Sequence, residues 1–483
     1  MTVDGDTNNV HAALEPIVER LDSGLDACDA FLRLVDLPHV VYFDSAQRNP
    51  RLGRYSFVAA DPFDFVEQRV DAPDALAVLK AALGKHQARE VPGLPPFQGG
   101  AAGLLSYDLG RQIEDLPCPR WDEFHMPALA MGLYDVVLAF DHVAEQSWII
   151  SHGLPETDPV RRRRRAVRRL QAFRDRLRQT SPNGSPPLRR TASETAALPR
   201  TALAPQFDVG VLPELSSNLS REDYLRCVER AIEYIFAGDI FQVNLAQRLL
   251  YPAKDDTVSL YLRLRQRNPA TFAAYFDLGA CQLASASPER FLQVRDRQVE
   301  ARPIKGTRGR TASPEADLFA GDDLQASEKD RAENVMIVDL MRNDLSRVCQ
   351  VDSVFVAALC QLETYAFVQH LVSEIRGELA ENATPIELLR AAMPGGSITG
   401  APKIRAMEII AELEPTARGA YCGSVGYLGF DGTMDTNILI RTFTCGRGWW
   451  QAPVGGGIVA QSTPRFEYEE TWHKAEGLLR SLR

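Results

Sequence analysis

Residues 271–310 read TFAAYFDLGACQLASASPERFLQVRDRQVEARPIKGTRGR, and the fold class turns on how they alternate. Four short runs rich in β-branched and aromatic residues (271–276, 282–286, 291–295 and 298–302) are punctuated by Asp277-Leu278-Gly279 and Asp296-Arg297. Turn residues between such runs predict consecutive antiparallel strands. The run ends on Pro303-Ile304-Lys305-Gly306-Thr307, so a lysine is delivered at a strand end where a loop can present it to a pocket.

Outward from this meander the period lengthens. Apolar residues at three- and four-residue spacing predict helices over 221–237, 327–345, 402–413 and 465–482. A further strand pair is expected over 421–428 and 436–442, turning at Asp431-Gly432. Upstream, 40–43, 55–60, 133–140 and 148–151 read as strands. Strand meanders followed by helices indicate an α+β protein, with no sign of a doubly wound parallel sheet. Residues 1–12 are polar and expected to be disordered, 13–179 form an N-terminal subdomain, 180–218 a mobile Ser/Pro/Thr/Ala-rich connector, and 219–483 a second domain. The arginine run 161–165, continued at Arg168 and Arg169, reads as the solvated face of a helix.

Composition excludes several classes. The chain has 483 residues, 45% of them hydrophobic, and no apolar run long enough to span a membrane. Its formal net charge of −10 argues against general affinity for nucleic acid or anionic lipid. The 8 cysteines show no C-x-x-C spacing and the N-terminus no secretion signal, so reduced thiols and a cytoplasmic location are expected.

Three constellations could carry chemistry. Lys305 is followed by Arg308 and Arg310, cations that would lower its pKa and favour a nucleophilic amine; the local sequence by itself favours an exposed surface lysine near other basic residues. Glu333 and Glu470 lie on separate predicted helices and could hold Mg²⁺, although Glu470 also stands four residues before Lys474, the spacing of an ordinary helix ion pair. Gly395-Gly396 before the helix near Pro402, and Gly455-Gly456-Gly457 after a strand, could let a substrate approach the backbone or could simply be tight turns.

The order of the motifs says more than any one of them. GDIFQVNLAQR (238–248), SPER (287–290), PIKGTRGR (303–310), KDRAENVMIVDLMRNDL (329–345), PGGSITGAPKIRAMEIIAELEP (394–415), YCGSVGYL (421–428), DTNILIRT (435–442) and GGGIVAQS (455–462) closely resemble the chorismate-utilising enzymes of the anthranilate synthase component I family, and within it the aminodeoxychorismate synthase large subunits. The resemblance is strong over 220–482 and looser over the first 150 residues. It implies antiparallel sheets packed as a sandwich core flanked by helices, in two merged halves. It implies Mg²⁺ on Glu333 and Glu470, Lys305 as the nucleophile toward C2 of chorismate, and Glu289 as the acid for the C4 hydroxyl. Gly306, Thr307, Tyr421, Arg441 and Gly455, Gly456 and Gly457 match substrate-binding positions. Gln242 stands where water-adding members have a basic lysine, and Lys305 where anthranilate synthases have alanine; that pairing implies amination at C4. His370 matches a histidine that assists pyruvate elimination in anthranilate synthases, so a structural or binding role is expected here.

The first half resembles the family's regulatory side, where Ser45, Arg54, Tyr55 and Ser56 match a tryptophan pocket. Its second wall, Thr271, Phe272 and Ala273, departs from the family's pattern. No glutaminase signature occurs, so ammonia is expected from a separate glutaminase subunit. Anthranilate synthase component I and a catalytically silent regulatory or binding paralogue are the alternative readings.

Overall fold

The quoted stretch does not stay in one sheet. In the computed structural model, which describes residues 15–22, 24–179, 196–310, 313–364 and 368–483, Phe272–Asp277 and Cys281–Ser287 pair in a 13-stranded sheet, whereas Arg290–Arg295 and Gln298–Ala301 belong to a second, 10-stranded sheet. The chain crosses between the sheets at Pro288-Glu289. It crosses again between Met434–Asn437 in the second sheet and Thr442–Gly446 in the first. The segment 438–441, expected to continue a strand, makes that crossing, and Arg441 takes a positive φ of 52° there.

A third crossing divides the expected strand 133–140. Leu129–Tyr134 lies in the second sheet and Val136–Asp141 in the first, with Asp135 between them. An unbroken apolar run gives no hint of that step, because both segments are buried on both sides. Asp135 is buried and answered by Arg165 at 3.7 Å and Arg169 at 3.1 Å. Arg162 donates to the His152 and Gln87 carbonyls. The arginine run on Pro159–Arg178 is therefore split: Arg163, Arg164 and Arg168 are exposed as expected, while Arg162, Arg165 and Arg169 face inward to carbonyls and carboxylates.

Both sheets draw strands from either side of the connector. Phe272–Asp277 pairs with Val41–Asp44 (Ala273 opposite Asp44), and Ser424–Gly429 pairs with Gly100–Leu105 (Gly426 opposite Gly103). The facing surfaces interdigitate through Val41, Phe57, Val137, Phe276 and Leu283 on one side and Ala102, Leu104, Val425 and Tyr427 on the other. Alternate residues point the other way, so Tyr42, Val58, Val136, Tyr275 and Phe443 meet helices Ala27–Leu34, Pro159–Arg178, Thr257–Arg267 and Pro464–Ser481. Helices Ala75–Gly84, Glu328–Ser346 and Pro385–Ala392 cover the second sheet. This is the α+β sandwich of two merged halves, flanked by helices.

The connector is partly corrected. Phe207–Asp208 and Ser216–Ser217 extend the first sheet, Ser216 opposite Leu250, and Leu198 and Leu203 pack on Leu250. Backbone pairing and apolar contact hold 196–218 in place, so that part is not a mobile tether. Residues 1–12 and 180–195 lie outside the described residues. Among the described residues no helix is long and apolar enough to cross a membrane.

Candidate active site

The crossings bring distant residues to one cleft. Glu289 sits at the first crossing and Arg441 at the second, while Lys305 lies on Ile304–Gly309, paired opposite Leu371 of Val368–Glu378. Lys305 is thus on a strand rather than in a loop. The register slips between Lys305 and Thr307, and Gly306 takes φ +73°, which admits the bulge. An added Cβ on Gly306 would stand 2.8 Å from the Leu324 side chain.

The glycine strand forms the floor. Gly457 lies in Trp449–Ile458, and an ideal Cβ there would stand 2.6 Å from Gln242 Nε2 and 3.6 Å from Lys305 Nζ. Two functional groups meet over a missing side chain. Gly456 does the same for the acidic side: its Cβ would stand 3.4 Å from Glu467 Oε2 and Lys474 Nζ, and 3.6 Å from Glu470 Oε1. Gly455 serves the sheet, since its Cβ would strike Leu245 O and Ala246.

Charge and burial then define each group. Glu289 is 5% exposed, and burial pushes its carboxyl up to about 7 against the opposing pull of Lys305, the Ser397 hydroxyl, the Ile304 N–H and Arg441. Ser397 Oγ donates to Glu289 Oε1 at 3.0 Å. Lys305 Nζ donates to the Ser397 carbonyl at 3.2 Å. Burial lowers the Lys305 ammonium below its ordinary range; Glu333, Glu289 and Glu470 oppose the shift, and Lys474 adds to it. The expected source, the following arginines, is not the cause: Arg308 is held by Asp323 and Asp330, and Arg310 by Asp317. Desolvation and Lys474 do that work instead.

Helices Glu328–Ser346 and Pro464–Ser481 supply the carboxylates. Burial raises Glu333. Burial alone would raise Glu470 too, but the Lys474 ammonium at 2.6 Å overrides it and holds that carboxyl below its ordinary range. Lys329 lies 4.0 Å from Glu333 and 3.7 Å from Glu467. Glu470 thus forms the expected i, i+4 ion pair with Lys474 and also acts on Lys305.

His370 Nδ1 lies 2.8 Å from Thr307 Oγ1, and burial together with the Arg441 charge brings the imidazole down to about 3, so it is neutral. Burial lowers Arg441 as well, with Glu289 opposing, and its guanidinium makes no hydrogen bond or ion pair among the described residues. Gln242 is fully buried, and neither Nε2 nor Oε1 finds a partner among the described residues. Tyr421 is buried with its ring 5.7 Å from the Arg418 guanidinium. Reading along the chain missed Ser397, Glu467 and Lys329, and gave Lys474 only its ion pair with Glu470, not its effect on Lys305. Glu467 had a signal, since it stands one helical turn before Glu470; Ser397 had none beyond its place in the glycine motif.

A second concavity of about 190 Å³ opens between the sheets. Ser45, Tyr55, Thr271, Phe272 and Ala273 line it, with Arg290, Glu300 and Asp435. Arg54 and Ser56 do not. Arg54 is turned to Asp141 at 2.7 Å, and Ser56 Oγ is engaged by the Ser45 N–H and His142 Nε2.

Residues 39–480 match the family described as chorismate binding enzyme. The chain belongs to that family. It is 38% identical over 467 residues to anthranilate synthase component 1 of Thermus thermophilus, covering 94% of each chain. It is also 38% identical over 484 residues to aminodeoxychorismate synthase component 1 of Escherichia coli, covering 97% of this chain and 99% of that one. The crystal structure of anthranilate synthase component I from Streptococcus pneumoniae superposes with a TM-score of 0.74 at 30% identity, over 88% of this chain and 92% of that one. The menaquinone-specific isochorismate synthase of Escherichia coli shares the fold, with a TM-score of 0.70 at 19% identity. This chorismate-binding chain is thus a chorismate-utilising enzyme whose relatives carry two different reaction names at equal identity, so membership defines the substrate class and leaves the product to be argued from residues.

Proposed function

We propose that this enzyme aminates chorismate at C4 with ammonia, giving 4-amino-4-deoxychorismate for 4-aminobenzoate and folate synthesis. The observation that carries the reading is the meeting of the unpartnered Gln242 amide and the Lys305 amine over Gly457. A neutral amide cannot deprotonate water, and a desolvated amine is a competent nucleophile.

Lys305 Nζ bonds to C2 of the ring, both ring double bonds shift by one position (to C1=C6 and C4=C5), and the C4–O bond breaks. Glu289 gives its proton to the departing hydroxyl, which leaves as water, while the attacking amine loses a proton. A carboxyl pushed up to about 7 retains that proton near neutral pH. Ammonia then bonds to C4, both double bonds return, and the C2–N bond to Lys305 breaks, the proton lost by the incoming nitrogen restoring the lysine amine. Chorismate and ammonia become aminodeoxychorismate and water. Arg441, with no hydrogen-bond or ion-pair partner among the described residues, is suited to a substrate carboxylate, and the neutral His370–Thr307 pair adds hydrogen bonds beside it.

Mg²⁺ is proposed on Glu333 and Glu470. The donor types suit it: Glu333 and Glu470 are carboxylates that act on the same Lys305 ammonium, and Mg²⁺ is commonly held by one or two carboxylates plus substrate oxygens and water. When bound, the ion would anchor the ring carboxylate and neutralise its charge. Ammonia is proposed to come from a docked glutaminase subunit.

The test is product identity from purified protein with chorismate, Mg²⁺ and ammonium. A product converted to 4-aminobenzoate only after a lyase is added supports the reading. Fluorescent anthranilate with released pyruvate refutes it.

A further inference from the structure

We propose that Ser397 is a positioning residue that holds the acid Glu289 and the nucleophile Lys305 in one frame. The proposal rests on the roles just given to those two residues. Its basis is that one residue touches both groups: the Ser397 hydroxyl donates to Glu289 Oε1 at 3.0 Å, and the Ser397 carbonyl accepts from Lys305 Nζ at 3.2 Å. Ser397 is 8% exposed, so water competes little for either bond.

The frame is itself held from behind. Gly396–Ile398 forms a single tight turn. An added Cβ on Gly396 would press on Leu340 at 2.6 Å, and one on Gly395 on Phe291 at 3.1 Å. Thr399 Oγ1 donates to the Gly395 carbonyl at 2.9 Å, and the buried Arg418 donates to the Ile398 carbonyl at 3.0 Å while pairing with Glu414. The turn thus has little freedom to follow either functional group, and they are referenced to it.

The two bonds have distinct consequences. An N–H of Lys305 committed to the carbonyl leaves the amine's lone pair to point elsewhere, into the cleft. The hydroxyl on Oε1 fixes the orientation of the carboxyl together with the Ile304 N–H, and it stabilises the ionised form of an acid that burial pushes the other way. The charged and titratable groups acting on Glu289 are Lys305 from its strand, Arg441 from the second crossing and Cys422 from the turn before Ser424–Gly429.

Ser397→Ala removes the hydroxyl and keeps the carbonyl. The expected result is a fall in kcat of roughly 10- to 100-fold, the scale of a misplaced catalytic group, with KM for chorismate within about threefold. The alkaline limb of the pH profile should move upward, because a carboxyl deprived of a donor holds its proton to higher pH. Ser397→Thr should recover most of both, and thermal unfolding of all variants should match the parent. Two results overturn the proposal: parental kcat and limb in a folded Ser397→Ala protein, or a fall in kcat with the limb unmoved. Glu289→Gln, assayed in parallel, separates the levels. If it stays active, the acid assignment itself fails; if it is inactive while Ser397→Ala is unaffected, only the positioning role fails.

Discussion

The Glu289–Lys305 site and the inter-sheet cavity are both polar and rich in charge, yet Arg290 and Asp44 in the cavity are paired where Arg441 and Gln242 in the site are not. In the cavity Arg290 is paired with Asp435 at 2.9 Å and Glu300 at 3.0 Å, and Asp44 with Arg265 at 2.6 Å and the Tyr42 and Tyr261 hydroxyls. In the cleft Arg441 and the Gln242 amide have no partner among the described residues, and Lys305 has only a carbonyl. Unpaired buried charge is costly, and it persists where a ligand completes it. Room is not affinity: a carboxylate binding Arg290 in the cavity must displace Asp435 or Glu300, whereas one reaching Arg441 meets a guanidinium with no partner among the described residues.

Substitutions can break or sharpen that contrast. The largest effects belong to the cleft. Glu289→Gln is expected to lower kcat roughly 10²–10⁴-fold, and Lys305→Ala at least as far, with no lysine adduct trapped by mass spectrometry. Wild-type turnover in Lys305→Ala would leave direct attack by ammonia as the route. Next comes Arg290→Ala, which strands Asp435 and leaves Glu300 only the longer pairs with Arg51 at 3.5 Å and Arg376 at 3.8 Å; it should reduce stability by about 3 kcal/mol in urea denaturation. Arg441→Gln is its counterpart: chorismate KM should rise roughly tenfold or more, the worth of about 1.4 kcal/mol, while stability stays level or rises because a partly buried charge with no partner among the described residues is gone. A loss of stability there as large as for Arg290→Ala would erase the distinction.

The pH profile gives a graded effect. The protonated form of Glu289 is the working acid, and its carboxyl lies at about 7. Activity should therefore fall as pH rises above about 7, read as kcat/KM across pH 5.5–9 under conditions where the protein stays folded. His370, brought down to about 3, should contribute no limb in that range. The smallest effect is expected at Arg54→Gln, whose Asp141 partner is reached from a 40% exposed side chain, so the change in thermal stability should stay within about 1 kcal/mol.

These contrasts show where the chain could be read linearly. The helices around Glu333 and Glu470 were legible from apolar spacing, and the strands of 271–302 from alternation. Their partners were not: alternation reports which face is buried, not which sheet a strand joins. The expected strand 133–140 fails for that reason at Asp135, and the expected strand at 436–442 fails at Arg441. The source of the Lys305 shift was misread too, because Arg308 and Arg310 stand beside it in sequence but are spent on Asp323, Asp330 and Asp317.

By itself the sequence determined the element types, the α+β class, and, through the order of its motifs, the residues of a chorismate-binding enzyme. Only the tertiary structure decided that Glu289, Lys305, Ser397, Arg441 and Gly457 share one cleft. Hydrogen bonding, desolvation and charge act over a few ångströms of space, and the two sheet crossings, not the intervals along the chain, set those distances.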